Sequence, residues 1–336
     1  MSEVTVAIPV RDGGPALAGV LQALAAQSVE HELLVCDSGS RDGSPELARS
    51  SGARVLQIAP AQYSHGGTRN LLMREATGAH VALLSQDAEP ADAQWLGRML
   101  AGFQLADDVA LVYGPYRPRP GACAAVGIEL ERWFTSLAPN GSPRIDRLVA
   151  GERVAPRALM GARGFFTDAN ACIARAAWER VPFREVPYAE DRLLALDMLR
   201  CGYAKAYLPD AAVLHSHDYG ARQELQRGFD EWRALREVYG WREPCSPVGL
   251  ARRLRGELGF ARAWLARRAA GPAERRATLA AVARHQLMRR AGALLGSRAD
   301  RLPAGVRRRL SLEGRGSFET LDLGEIQLAR PGETVP

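Results

Sequence analysis

Residues 81–90 read VALLSQDAEP. Val81, Ala82, Leu83 and Leu84 form a continuous apolar run of strand length, consistent with burial on both faces of a sheet. The run breaks at Gln86 and Asp87. Pro90, which has no N–H to donate, is expected to end any further strand pairing. Open α/β sheets gather ligands at the carboxyl ends of their strands. Asp87 is therefore either the cap of the following turn or the carboxylate around which a site is built.

Working outward, the segments before this run alternate in type. Residues 4–9 (VTVAIP), 32–36 (ELLVC) and 54–58 (RVLQI) have strand character. Helices are expected from Pro15 to Gln27, from Ser44, and from about Thr68 to Gly78. This alternation predicts βαβ units and an α/β fold, Rossmann-like, with a mostly parallel sheet flanked by helices. Downstream, a helix is expected over 92–106, a strand over 109–113 and a break over 115–120. A loop-rich insertion over 121–160 contains a helix at 124–137. Strands over 164–170 and 171–175, a helix over 190–201 and strands over 204–208 and 211–214 lead to His215-Ser216-His217. Helices over 222–238, 248–269 and 273–295 follow. The expected organisation is an α/β unit over 1–240 and a basic helical region over 241–310. Residues 311–336 are expected to form a poorly ordered tail with its closing segment at 331–336.

Composition excludes some classes. With 47% hydrophobic and 24% charged residues the chain can build a full core, and no apolar run approaches the ~18 residues of a membrane span. The N-terminus has no basic start or longer apolar stretch of the secretory kind. Cys36, Cys123, Cys172, Cys201 and Cys245 are scattered without a CxxC pair, which argues against a disulfide framework or zinc site and for a reducing, cytoplasmic setting. The net charge of +6 is unevenly placed: sixteen arginines between Arg252 and Arg309 face only Glu257, Glu274 and Asp300, so the remainder is net acidic. Such a region could meet nucleic acid, but it carries no interleaved aromatics or binding-fold motif. Its arginines either rest on anionic lipid, with Phe260, Trp264 and Leu265 as apolar anchors, or pack against the acidic remainder.

Four constellations carry chemistry. Asp37 ends the second strand in VCDSGSRDGS, where a carboxylate can accept from a ribose or a pyrimidine imide. His65-Gly66-Gly67-Thr68-Arg69-Asn70 opens a helix whose free N–H groups suit an anion, with Arg69 as a fixed cation. Glu190 and Asp191 begin a helix whose dipole favours an ionised Asp191, as a general base requires. His215-Ser216-His217-Asp218 is read as an extended segment that turns one imidazole at most toward a given site. With Asp87, that histidine makes a mixed oxygen and nitrogen donor set tolerable to Mn²⁺ or Mg²⁺.

The order of these pieces resembles the family 2 glycosyltransferases of the GT-A fold, and within them bacterial rhamnosyltransferases. The resemblance rests on IPV at 8–10, VCDSGSRDGS at 35–44, YSHGGTRNLL at 63–72 and LLSQDAEP at 83–90. It continues through DANACIAR at 168–175 and PYAEDRLLALDMLRCGYAKAYLPDAAVLHSHDY at 187–219. It implies a catalytic domain over 1–240 that transfers a hexose with inversion, with L-rhamnose from dTDP-L-rhamnose the first choice and a UDP-sugar the alternative donor. The acceptor implied is a hydroxyl of a cell-surface glycan or lipid-linked saccharide, handled at the cytoplasmic face of the inner membrane. Asp191 matches the catalytic base, with Glu190 on the acceptor side. Pro9, Arg11, Asp37, His65, Arg69, Gln86 and Asp87 match the donor-nucleotide side. Asp87 matches the last acid of the DxD metal motif, and His217, with His215 second, the later ligand of a divalent cation. The chain departs from the pattern in that Gln86 and Ala88 flank Asp87, leaving one acid where two are usual.

Overall fold

A computed structural model describes residues 3–329. Its N-terminal part alternates as expected: β1 (Val4–Val10), α1 (Gly14–Ala25), β2 (Glu32–Asp37), α2 (Ser44–Ser50), β3 (Arg54–Gln57), α3 (His65–Glu75) and β4 (His80–Leu84). Next come β5 (Glu89–Pro90), α4 (Trp95–Ala101), β6 (Val109–Tyr113), β7 (Tyr116–Arg117), α5 (Ala124–Leu137) and β8 (Arg144–Asp146). The α/β part closes with β9 (Asn170–Ala174), α6 (Arg175–Arg180), α7 (Glu190–Arg200), β10 (Ala204–Tyr207) and β11 (Val213–Leu214). The helices α8 (Ala221–Tyr239), α9 (Pro247–Arg267), α10 (Pro272–Gly296) and α11 (Ala304–Leu310) complete the chain.

The main sheet runs β3-β2-β1-β4-β9-β6-β10-β8. Parallel pairing holds from β3 to β4, but β9 is antiparallel to both β4 and β6, so the sheet is mixed beyond its first half. The apolar run that opens the sequence argument is central. Val81 and Leu83 face one core cluster, Ala82 and Leu84 the other, and all four are at most 1% exposed. Period-2 alternation thus splits a uniformly apolar strand between two helical layers.

Several expectations need correction. Pro90 does not end pairing: it lies in β5, opposite Val213 of β11, in a small second sheet ordered β5-β11-β7. Proline cannot donate but can accept, and β5 is an edge strand. The helix expected from Thr68 begins at His65 because Ser64 caps it, its hydroxyl accepting from Gly67 N at 3.1 Å. Residues 164–169 form no strand where one was expected, β9 beginning at Asn170; a Cβ at Gly164 would meet the Leu159 carbonyl, so the loop doubles back on itself. The helix expected over 92–106 shortens to α4 plus a 3₁₀ turn.

The C-terminal helices are fastened to the rest. α10 packs so closely on α8 that a Cβ at Gly292 would lie 2.2 Å from the Leu225 carbonyl, and one at Gly296 2.2 Å from the Phe229 carbonyl. The supposed lipid anchors are used internally. Leu265 is buried, and Trp264 donates to Glu131 on α5 at 2.8 Å under Arg268. Residues 311–329, expected to lack order, form a strap across α7 and α8. Leu323 and Ile326 are buried, Ile326 and Val154 exchange backbone hydrogen bonds of 2.8 Å, and Ala329 N donates to Arg200 O at 2.7 Å. The closing segment at 331–336 lies outside the described residues.

Candidate active site

Two loops at adjacent strand ends are tied to each other by side-chain hydrogen bonds. Asp12 N donates to Ser40 Oγ at 2.8 Å, Arg41 N to Asp12 Oδ1 at 2.7 Å, and Gly14 N to Asp42 Oδ2 at 2.8 Å. Asp37 is buried at the end of β2, where its carboxylate accepts from Gly39 N at 3.1 Å and Ser40 N at 3.3 Å and so closes the turn after the strand. Gln86 clamps β4 to β1 by accepting from Arg11 N at 2.8 Å and donating to Arg11 O at 3.1 Å. Pro9 lies in β1 opposite Cys36 of β2.

The pairing of β5 with β11 delivers the histidines. His215 Nδ1 stands 3.4 Å from Asp87 Oδ1 and His217 Nε2 3.4 Å from Asp87 Oδ2. Both imidazoles therefore reach Asp87, against the expectation of one. In an extended chain it is i and i+2 that share a face. Ser216 and Asp218 point the other way, accepting from Arg119 N at 3.0 Å and Cys123 N at 2.8 Å. One donor atom from each of Asp87, His215 and His217 lies within 4.8 Å of the others, a set that fits a divalent cation of mixed oxygen and nitrogen preference. Burial pushes the Asp87 carboxyl up, but the hydrogen bond from His215 and the charges of His215, His217 and Arg119 outweigh it and hold the group below its ordinary value.

A second cluster surrounds Arg69. Its guanidinium is not free: Nη2 donates to Asp168 Oδ1 at 2.8 Å, Nη1 lies 3.1 Å from Glu190 Oε1, and Nη1 also donates to His65 O at 3.1 Å. His65 Nδ1 lies 3.8 Å from Glu190 Oε1 and 3.3 Å from the Tyr63 hydroxyl. Burial and the Arg69 charge lower the His65 imidazole. The glycines of this motif serve packing of the chain on itself, since a Cβ at Gly66 would lie 2.2 Å from the Arg184 carbonyl. Asn70 is also structural, accepting from Trp178 Nε1 and Phe183 N at 2.9 and 3.0 Å.

Asp191 sits in the first turn of α7, behind Ala189 in the left-handed region at φ 64°. A non-glycine residue there costs about 1–2 kcal/mol, strain typical of a functional turn. Asp191 Oδ1 accepts from Arg192 N at 2.7 Å. The helix dipole does not win here: burial, then the Asp168 charge, raise Asp191 to about 7. Burial raises Asp168 to about 7 against the pull of Arg69. A carboxylate poised near 7 suits proton abstraction better than an ordinary one.

Tyr116 joins the two clusters. Its ring meets His215 edge-on at 4.8 Å, and its hydroxyl bonds Thr167, next to Asp168. Sequence reasoning missed Tyr116, Asp168 and Arg119; of these only Asp168 stood inside a quoted motif, as the acid two residues before a strand.

Residues 5–122 match the family described as Glycosyl transferase family 2. The chain is 30% identical over 235 residues to the O-antigen chain rhamnosyltransferase RfbN of Salmonella typhimurium, covering 68% of this chain and 71% of that one. It is 30% identical over 204 residues to the O-antigen chain rhamnosyltransferase WbaN of Salmonella anatum, covering 59% of this chain and 61% of that one. Among solved structures it is similar to the mannosyltransferase PcManGT of Pyrobaculum calidifontis in complex with GDP-Man and Mn²⁺. That similarity has a TM-score of 0.53 at 18% identity and covers 88% and 87% of the two chains, a likeness of fold.

Proposed function

Because the chain belongs to the family 2 glycosyltransferases, we propose that it moves L-rhamnose from dTDP-L-rhamnose, with inversion, to a hydroxyl of a cell-surface glycan or lipid-linked saccharide. The observation that carries this reading is the continuity, through Tyr116, between the Asp87, His215 and His217 set and the Asp191 cluster. The rhamnosyltransferases it resembles support the choice of sugar.

Asp191, ionised, takes the acceptor hydroxyl proton as that oxygen attacks the anomeric carbon. The bond from that carbon to the diphosphate oxygen breaks on the opposite face, and its electron pair leaves with dTDP. Burial and the charge of Asp168 raise Asp191 to about 7, against the lowering charges of Arg192 and Arg69. Asp37, Arg11, Pro9 and Gln86 hold the nucleoside at the strand ends. Asp87, His215 and His217 would hold Mg²⁺ or Mn²⁺, which when bound would supply positive charge against the leaving diphosphate. Glu190 faces the acceptor, and His65 stands on the donor side of it, 3.8 Å from its carboxylate.

No helix among the described residues is long and apolar enough to cross a membrane. Peripheral contact with anionic lipid at the cytoplasmic face is supported by α9. Among the described residues its exposed Arg252, Arg255 and Arg262 make no ion pair, and they share that helix with exposed Val248 and Leu250. Flotation with anionic vesicles and none with neutral ones is expected; no flotation with either removes the lipid surface from the proposal.

The donor is tested by nucleotide release from dTDP-L-rhamnose, UDP-sugars and GDP-mannose, each with Mn²⁺ and with chelator. Metal-dependent release from dTDP-L-rhamnose is expected. Release from UDP-sugars alone selects the other donor, and release undiminished by chelator removes the cation.

A further inference from the structure

Arg227, on α8, feels the charges of two acids, Glu231 and Glu313, but is paired closely with neither among the described residues. Among the described residues it makes no ion pair or hydrogen bond, although it is half-buried. Its guanidinium carbon lies 5.8 Å from the centre of the Tyr188 ring, three residues before Asp191. The carboxylate one turn along α8, Glu231, is taken by Arg289 at 2.7 Å. The charge of Arg227 bears on His217 and Tyr219 at one end of the cleft, and on His65, Tyr116 and Tyr188 at the other. Tyr219 in turn stacks on His217 at 5.2 Å.

A second guanidinium stands against the same tyrosine. Arg315, on the strap, lies 5.5 Å from the Tyr188 ring centre. Its Nε and Nη1 are buried without a hydrogen-bond partner, and only Nη2 approaches an acid, Glu237 at 3.5 Å. The strap is pinned at this place by α8. Leu312 N donates to the buried Asp230 at 2.7 Å, and the fully buried Arg233 donates to Arg315 O at 2.9 Å and to Ser317 O. Two guanidinium groups beside one ring, with the buried Nε and Nη1 donors of Arg315 unmet, favour an anion that completes them. The planar fork of arginine matches phosphate oxygens two at a time.

We propose that Arg227 and Arg315, set against Tyr188, form a diphosphate-binding site between the Asp87–His217 end of the cleft and the base Asp191. The site rests on the glycosyltransferase reading for its role. The diphosphate is either that of the donor nucleotide, released as the carbon–oxygen bond breaks, or that of a lipid-linked acceptor. Both offer the same chemistry to the two arginines.

The test uses the full chain in chelator, so that a cation does not carry the anion, and inorganic pyrophosphate as the probe. Calorimetry is expected to show pyrophosphate bound by the wild type and at least tenfold more weakly by Arg227→Ala and Arg315→Gln, with unchanged melting temperature in at least one variant. Where dTDP affinity falls in parallel, the diphosphate is the donor's. Where dTDP affinity holds and KM rises for a lipid-diphosphate saccharide but not for the same saccharide without diphosphate, it is the acceptor's. Wild type that ignores pyrophosphate, or folded variants that match wild type in pyrophosphate, dTDP and both acceptors, overturns the site. Failure of the wild type to release nucleotide from any sugar donor instead overturns the reading of the reaction, while the pyrophosphate titration still reports on the arginines.

Discussion

The strand-end half of the cleft and the half built after Gly220 use charge in opposite ways. At the strand ends, polar side chains close loops on themselves: Asp37, Asp42 and Gln86 all spend their oxygens on backbone amides. After Gly220, arginines tie separate elements together. Arg253 and Arg290 share Glu243, Arg289 bridges Glu129 and Glu231, and Arg233 holds the strap. Much of the basic region is thus neutralised by the acidic remainder, and a run of arginines in sequence is a poor guide to free positive surface. Among the arginines without an ion pair in the described residues are Arg227 in the cleft and Arg252, Arg255 and Arg262 on α9 outside it.

The sharpest break of this comparison comes at the base. Asp191→Asn is expected to lower kcat by ~10²–10⁴-fold while dTDP binding is kept, because the group acts on the acceptor proton and not on the nucleotide. Turnover near the wild-type level would remove Asp191 from its role. Next, Asp87→Ala, His215→Ala and His217→Ala should each weaken Mn²⁺-dependent donor binding. The Asp87 loss should exceed the roughly 10–100-fold typical of a residue that only orients a ligand. Gln86→Ala, which loosens the clamp to Arg11, should do less, and equal effects would argue that Asp87 too is only a loop fastener.

A smaller effect separates the two carboxylates near neutrality. The rate requires ionised Asp191, so kcat/KM should fall on the acid side below about pH 7. The negative charge of Asp168 raises that value, so Asp168→Asn should move the acid limb to lower pH, by about one unit or about 1.4 kcal/mol. A limb that stays in place or moves up would show that Asp168 does not set the base.

The smallest expected effect lies among the C-terminal helices. His285 of α10 is buried between Glu224 of α8, at 3.1 Å, and Glu129 of α5, at 2.9 Å, with Arg289 and Arg284 beside those acids. Burial lowers this imidazole, but the hydrogen bond and charge of Glu129 outweigh it and raise the group above its ordinary value. Its contribution is fully present below about pH 6.5 and is lost as pH rises through the raised value. His285→Gln should therefore cost about 1.5–3 kcal/mol at pH 5.5, read as a lowered Tm, and less at pH 9. An equal loss at both pH values would indicate packing alone.

Much of the fold was legible because its cues are local. Strand-length apolar runs, Pro15 and Pro45 in first turns and Gly202 after α7 report on their own few residues. Pro90 misled for the same reason: its missing N–H is a local fact, whereas the strand it lies against, with Val213 opposite, is more than a hundred residues away.

The sequence by itself determined the identity and order of the candidate site residues, Asp37, Asp87, Asp191 and the two histidines, each at the end of an element it could define from neighbours alone. Tertiary structure decided how those residues are used. It brought both histidines to one carboxylate, committed Arg69 to Asp168 and Glu190, raised Asp191 by burying it, and turned an unpromising tail into a wall of the cleft. The reason is range: pairing and turn preferences act over a few residues, but burial and charge depend on which distant segments enclose a group.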